Sequence, residues 1–430
     1  MTRAFALAVG VLMPVLAYAQ FEASFDVAPD DPAIGYTTRP VRDRVEELSR
    51  KVAQGKITLH FDERQGYLPS VLEALQIPVE SQIVVFSKTS VQAPYISPAN
   101  PRTLFFNDSV VVGWVHGGFM EIAAHDPEQG VVFYTLDQSA AENRTRAMVF
   151  APPPLFRRQD DCLGCHVSYA TLGVSGMLTR SVYPDRNGVP VRQLGDFVTD
   201  HRSPLKERWG GWYVTGKNAS VQHLGNMTIE IGQEPNSKGI GTILPSLKNK
   251  FDADAYLSPH SDVAALMVFN HQMHMINLLT RVGWEVRLST SRTGAAVRPQ
   301  LTAAVHELVD YMLFVDEALL SQKMEGTSGF QKVFESKGPW DRKGRSLRQL
   351  DLEHRLLRYP CSYMIYSDAF DALPKEARDA IFHRLWAVLS GEERGASYQR
   401  LSLAERKSVA EILRDTKAGL PEYFRSVIIR

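Results

Sequence analysis

The stretch Val110-Val111-Val112-Gly113-Trp114-Val115, followed by Met120-Glu121-Ile122-Ala123-Ala124 and then Val131-Val132-Phe133-Tyr134-Thr135-Leu136, decides the architecture of the first third of this 430-residue chain. β-Branched and aromatic residues dominate each run, and the turn formers Gly117-Gly118 and Asp126-Pro127 separate them. Runs of this length with this punctuation predict consecutive strands of an antiparallel meander. Two more strand-like runs, 82–87 and 103–107, come before, the second closing on Asn107-Asp108. Further upstream, 44–54 and 70–76 carry helical patterns after a polar, proline-containing lead-in over 27–40.

Downstream the character changes. Ala151-Pro152-Pro153-Pro154 stops regular structure, and 173–241 is rich in Gly, Pro and aromatics with strand-like pieces at 212–215 and 227–231. Ser261 is expected to cap a long apolar helix over 263–281, with Asp262 at its positive end. Apolar residues at three- and four-residue spacing predict further helices over 305–320, 346–357, 376–389 and 403–415. The expected fold class is α+β, with four parts: an apolar leader (1–19), a β-rich region (20–150), a region built around a cysteine motif (151–260) and a helical region packing on it (261–430).

The chemistry is concentrated in Cys162-Leu163-Gly164-Cys165-His166, which has the form of a c-type haem attachment sequence. Two thiols at this spacing add to the two haem vinyl groups, and the adjacent imidazole then serves as proximal iron ligand. A bare C-x-x-C also suits redox or zinc chemistry, but the trailing His166 and the lack of a second cysteine pair argue against both. The third cysteine, Cys361, reads as a buried thiol in an apolar aromatic setting. The N-terminus agrees with haem attachment after export. Arg3, an apolar run from 4 to 16 and Ala17-Tyr18-Ala19 have the layout of a Sec-type signal peptide, with Gln20 as mature N-terminus and a retained anchor as the alternative. No later apolar stretch reaches membrane-spanning length, so the expectation is a periplasmic or secreted protein with no span after cleavage. Net formal charge is zero with 22% charged residues, and no basic stripe recruits nucleic acid.

The second face of the iron is where function would be decided. His271 and His274 sit three apart on the long apolar helix, flanked by Met267 and Met275, and His271 is the leading distal-ligand candidate; the alternative is a pair of hydrogen-bonded core histidines. Met177, Met227, His201 and His223 are weaker candidates. Trp209-Gly210-Gly211-Trp212-Tyr213 reads either as a surface for a porphyrin or as an apolar corner between strands. Arg180, Arg186, Arg192, Arg202 and Arg208 surround it as possible partners of haem propionates.

Blocks spread over most of the chain also resemble a family of exported bacterial monohaem c-type cytochrome-like proteins. They are Gln82-Ile83-Val84-Val85-Phe86-Ser87-Lys88-Thr89, Phe133-Tyr134-Thr135-Leu136-Asp137-Gln138, Arg208-Trp209-Gly210-Gly211-Trp212-Tyr213-Val214-Thr215-Gly216, His271-Gln272 and Tyr366-Ser367-Asp368-Ala369-Phe370-Asp371-Ala372-Leu373-Pro374. The resemblance implies one covalent haem c with its iron, and export. It differs from small c-type carriers in size and in lacking a downstream methionine-ligand motif. Two functions follow as expectations: single-electron transfer with periplasmic redox partner proteins, or a haem-dependent oxidoreductase, peroxidase-like or a small-molecule oxidase, with an open distal site. A carrier needs only about a hundred residues around its haem, which is the argument for the second; no catalytic residue is singled out for it.

Overall fold

The computed structural model describes residues 28–139, 154–218, 220–230, 241–291 and 299–425. The signal segment with Gln20, the start of the proline run and Ile231 lie outside the described residues. Two short helices, α1 (Arg44–Ala53) and α2 (Leu68–Ala74), lead into the meander β1 (Ile83–Val85), β2 (Arg102–Phe106), β3 (Val110–Trp114), β4 (Met120–Asp126) and β5 (Gly130–Leu136). The strand β6 (Phe156–Arg158) and a helical turn, α3 (Leu163–His166), follow, then the two-stranded ribbon β7 (Arg180–Val182) and β8 (Asp196–Val198), and β9 (Trp212–Tyr213). The chain ends in helices α4 (Val263–Ser291), α5 (Pro299–Met312), α6 (Phe330–Ser336), α7 (Asp368–Asp371), α8 (Lys375–Ser390) and α9 (Leu403–Thr416). The fold is α+β, an antiparallel β-rich N-terminal part followed by a helical C-terminal part.

The main sheet has seven strands in the order β6-β5-β4-β3-β2-β1-β9, every pair antiparallel. Its edge strands come from beyond residue 150: β6 leads into the cysteine motif, and β9 is the second half of the Trp209–Tyr213 cluster. Both faces of the sheet are covered, which is why β3 is buried at every position rather than alternating. One face, with Phe105, Val112, Trp114, Ile122, Val132 and Tyr134, packs on α1 and α2. The other, with Leu104, Phe106, Val111, Val131 and Phe133, packs on α4. The α4 helix is buried almost all round, as a helix apolar on every side must be.

The helix expected over 305–320 is α5, which starts earlier and ends at Met312, and local chemistry departs from the sequence pattern at two further places. The cap of α4 is Asp262, whose Oδ1 accepts from Ala264 N at 2.8 Å and whose Oδ2 gathers Thr327 N and Ser328 N. Ser261 instead ties the helix start to the sheet, donating to Tyr213 O and accepting from Val84 N. Residues 346–357 are not helical. Asp351 Oδ1 takes the N–H groups of Glu353 and His354, Leu352 has a positive φ of 56°, and Leu350 bridges back to Leu357. The carboxylate of Glu317 completes this turn by accepting from Leu356 N at 2.7 Å.

Glu317 carries a cost that pH can read. Burial pushes its pKa from 4.5 up to about 7, against the pull of the Leu356 N–H and of Arg355, Arg208 and Arg400. A carboxyl that binds its proton more tightly when folded stabilises fully below the unfolded value, and that stability is lost as pH rises through the folded value. Glu317→Gln keeps a carbonyl oxygen for Leu356 N and removes the ionisation. Urea denaturation should find the variant equal to the parent near pH 4 and more stable by about 2–3 kcal/mol at pH 8; parallel pH profiles would contradict the assignment.

Candidate functional site

The cysteine motif is built onto the edge of the sheet. β6 pairs with β5 in the register Leu136↔Phe156, Thr135↔Arg157, Tyr134↔Arg158, and Gln159 N extends the ladder to Phe133 O. A 3₁₀ turn over Asp160–Cys162 runs directly into α3, with Cys162 itself in helical conformation. Cys162, Cys165 and His166 are therefore at i, i+3 and i+4 of one helical segment, and such positions share a face. Both thiols are free, Cys162 half-buried and Cys165 exposed. Burial, followed by the charges of Glu121 and Asp161, pushes the Cys162 thiol up to about 11, so it is protonated.

His166 is held by the segment that follows the motif. Its Nδ1 lies 2.8 Å from the carbonyl oxygen of Gly176. A carbonyl only accepts, so Nδ1 carries the proton and the Nε2 lone pair is left for another partner. Nε2 has no hydrogen-bond partner among the described residues. Burial lowers the pKa of His166, with a further push from Arg102, and so favours the neutral ring. Its ring lies 4.4 Å from that of Phe133, on the α4 side of the sheet.

A chain of backbone bonds fixes Gly176. Its N–H returns to His166 O at 3.0 Å, and Thr171 Oγ1 donates to the same oxygen. The next residue, Met177, is clamped by Asn277 of α4, whose Oδ1 accepts from Met177 N at 2.9 Å and whose Nδ2 donates to Met177 O at 2.6 Å. Glycine is required at 176 because a Cβ there would stand 2.3 Å from Asn277 Oδ1. Met177 is buried, its backbone taken up by this clamp.

His271 is elsewhere on α4, and both of its ring nitrogens are engaged. Nδ1 shares a hydrogen bond of 2.8 Å with Nδ1 of His201, and Nε2 one of 2.7 Å with Ser362 Oγ. Tyr311 stacks parallel to it at 5.2 Å and donates from its hydroxyl to His271 O. Burial drives the pKa of His271 down to about 3 and that of His201 well below the ordinary value, so both rings are neutral. Ligation by His271 would break this network, so the geometry favours the hydrogen-bonded core pair. His274 Nε2 meets Arg202 Nη2 at 3.1 Å, and Arg202 in turn forks onto Asp200. His223 Nδ1 accepts from Gly225 N at 2.9 Å. Met227 is half-buried in the loop beyond it.

The Trp209–Tyr213 cluster forms the apolar corner. Trp209 is fully buried, with Nε1 donating to Asn270 Oδ1 of α4, and a Cβ on Gly210 would meet Val182 O at 2.2 Å. Of the five arginines, Arg202 and Arg208 belong to the His271 region; Arg208 is buried, donating to Ser203 O and His201 O at 2.7 Å. Arg180, paired with Asp196, stands within electrostatic range of Cys165 and Arg192. Arg186 is exposed.

Two charged residues that the motif did not point to stand beside it. Arg102 Nη1 and Glu121 Oε2 form an ion pair of 2.7 Å at the end of the sheet, on the face that carries Phe133. The signal for them was a carboxylate in the middle of an otherwise apolar strand, Met120-Glu121-Ile122. Among the described residues, no group of three or more His, Cys, Asp or Glu side chains could cage a metal ion, and no helix is long and apolar enough to cross a membrane. In comparison with known proteins, the chain matches no family model, no curated protein and no solved structure.

Replacing His271 by alanine leaves His201 without its Nδ1 partner and opens a cavity beneath Tyr311. We expect a loss of about 2–4 kcal/mol of stability in urea denaturation. A loss below about 0.5 kcal/mol, the range of an inert surface site, would show that the pair is not structural.

Proposed function

We propose that Cys162, Cys165 and His166 hold one covalent haem c, and that the protein is an exported, periplasmic c-type cytochrome passing single electrons between redox partner proteins. It would then belong with the exported monohaem cytochrome-like proteins that its sequence blocks resemble. The observation that carries the reading is the bond from His166 Nδ1 to Gly176 O. Ligating histidines nearly always donate their second nitrogen in this way, which fixes the tautomer and the ring plane. The remaining features fit the same group: two unpaired thiols on the same helical face, a neutral imidazole with Nε2 unspent, and a buried Phe133 against the ring. Bound there, the haem iron would supply one-electron redox chemistry. The chain would do the rest, with Asn277 and Gly176 orienting the ligand and the sheet edge excluding water from one side.

Surface composition around the motif suits a carrier. Leu155, just before β6, is 52% exposed, Val198, paired with Arg180, is 47% exposed, and Tyr169, three residues past His166, is 71% exposed. Large apolar residues left in solvent in the segments that flank a redox group offer the kind of patch on which a transient partner docks.

The test is an absorption spectrum of protein matured in a periplasm with haem-attachment machinery, oxidised and reduced, with and without carbon monoxide. A carrier gives a low-spin ferrous spectrum that carbon monoxide leaves unchanged, and it reduces no peroxide catalytically. Prompt carbon monoxide binding with peroxide turnover would replace the carrier with the haem-dependent oxidoreductase.

A further inference from the structure

The turn that carries the two thiols is tied down before and after by one residue of the lead-in segment. Tyr36 is fully buried. Its carbonyl oxygen accepts from Arg158 Nη2 at 2.6 Å, and that guanidinium lies over the Tyr36 ring, 4.5 Å from its centre. Arg158 ends β6, just ahead of the cysteine motif. The Tyr36 hydroxyl donates to Val131 O at 3.0 Å. Ser175 Oγ donates to the same oxygen, and Ser175 O accepts from Val131 N at 3.0 Å. Ser175 in turn precedes Gly176, whose carbonyl holds His166. Ile34 makes a further tie: it is fully buried and forms a small apolar cluster of its own with Val174 and with Trp284 of α4. The segment 29–39 is itself a compact turn, with Ile34 N and Gly35 N both bonded to Asp31 O at 2.8 Å and Tyr36 N to Pro29 O at 3.1 Å. Arg39 fastens its far end, pairing with Glu128 at 3.2 Å and accepting at its carbonyl from Gln129 Nε2.

The strap matters because the two thiols are not equally available. Cys165 is exposed, whereas Cys162 is half-buried and packs against the main core. A group that bonds to both must first draw Cys162 off that core. Each thiol adds across a vinyl double bond, sulfur to one carbon and hydrogen to the other, so no oxidant is needed; what is needed is a lifted turn. We propose that residues 29–39 are a clasp on the cysteine turn: with Tyr36 on Arg158 and Val131 and Ile34 between Val174 and Trp284 the turn is held down, and release of the strap lets it lift and present Cys162. A cluster of three apolar residues beneath a loop is a satellite of the main core, and a unit of this size opens at a lower free energy than the whole protein. The same ties then hold the turn in place once it has closed. That the group admitted is a haem rests on the reading proposed above; the clasp itself rests on the contacts of Tyr36 and Ile34 alone.

The experiment uses the reduced full-length chain without covalent haem and follows maleimide labelling of each cysteine by mass spectrometry. Parent, Tyr36→Phe and Ile34→Ala are compared at one pH, in water and in urea below the unfolding transition. Cys165, being exposed, gives the rate for an open thiol, and Cys361, fully buried, gives the rate for opening of the whole protein. A clasp makes Cys162 label faster than Cys361 and with little dependence on urea, because a local opening exposes little surface. Its rate then rises about threefold to tenfold in Tyr36→Phe, which loses one hydrogen bond, and at least tenfold in Ile34→Ala, which empties the cluster. Labelling of Cys162 that is as urea-dependent as that of Cys361, or that neither variant accelerates, would overturn the inference. Parent protein matured with haem-attachment machinery but lacking covalent haem by the pyridine haemochrome would instead overturn the haem reading, with the labelling result still deciding the clasp.

Discussion

The pair of hydrogen bonds from Asn277 to the backbone of Met177 is the constraint on which the motif depends. A four-residue helical turn has no stability of its own, because nucleating a helix costs more than one turn returns. The turn carrying Cys165 and His166 is therefore fixed from outside: by the β6 ladder before it, and by the Gly176 carbonyl after it. That carbonyl stays in place because Met177 is tied to the middle of α4, which is buried almost all round. A side chain on the core helix thus sets the tautomer of a half-buried imidazole at the sheet edge, through two backbone residues.

The same helix keeps a second set of histidines away from that surface. His271, His201, Tyr311 and Phe314 form a stack in which every ring plane lies within 30° of its neighbour. Neutral imidazoles are tolerated there because each can donate and accept once, and Ser362 and the partner histidine take up three of the four ring nitrogens. The buried Arg208 nearby is satisfied by carbonyl oxygens, and burial lowers it to about 10 without removing its charge. The interior of the helical part is thus a hydrogen-bonded polar seam inside an apolar core, while the chemistry proposed for the protein lies at the sheet edge.

What the sequence made legible follows from the range of each interaction. The meander was readable because its strands are apolar runs separated by turn formers, and those signals are local. β9 falls within the strand-like piece read at 212–215, but β6, three residues long, carries no pattern; it exists because β5 offers it an open edge. Residues 346–357 have helical spacing, yet Asp351 and the distant Glu317 capture the N–H groups that a helix would need. The attachment motif was legible for the same reason as the strands, being five consecutive residues. Its supports were not, since Asn277 lies 100 positions from Met177, and Arg102 stands just before the run read as a strand over 103–107. His271 drew attention as an iron ligand because its partners His201 and Ser362, 70 and 91 positions away, cannot be seen from the helix alone.

The central claim is that the two thiols of the motif are carriers of a covalent group and not partners of each other. Intact-mass spectrometry of the chain recovered from a periplasm competent in haem attachment tests it directly. The account predicts a single added haem, located by fragmentation to the peptide containing Cys162 and Cys165. A chain without added mass, or one lacking two hydrogens because Cys162 and Cys165 have joined as a disulfide, would contradict it.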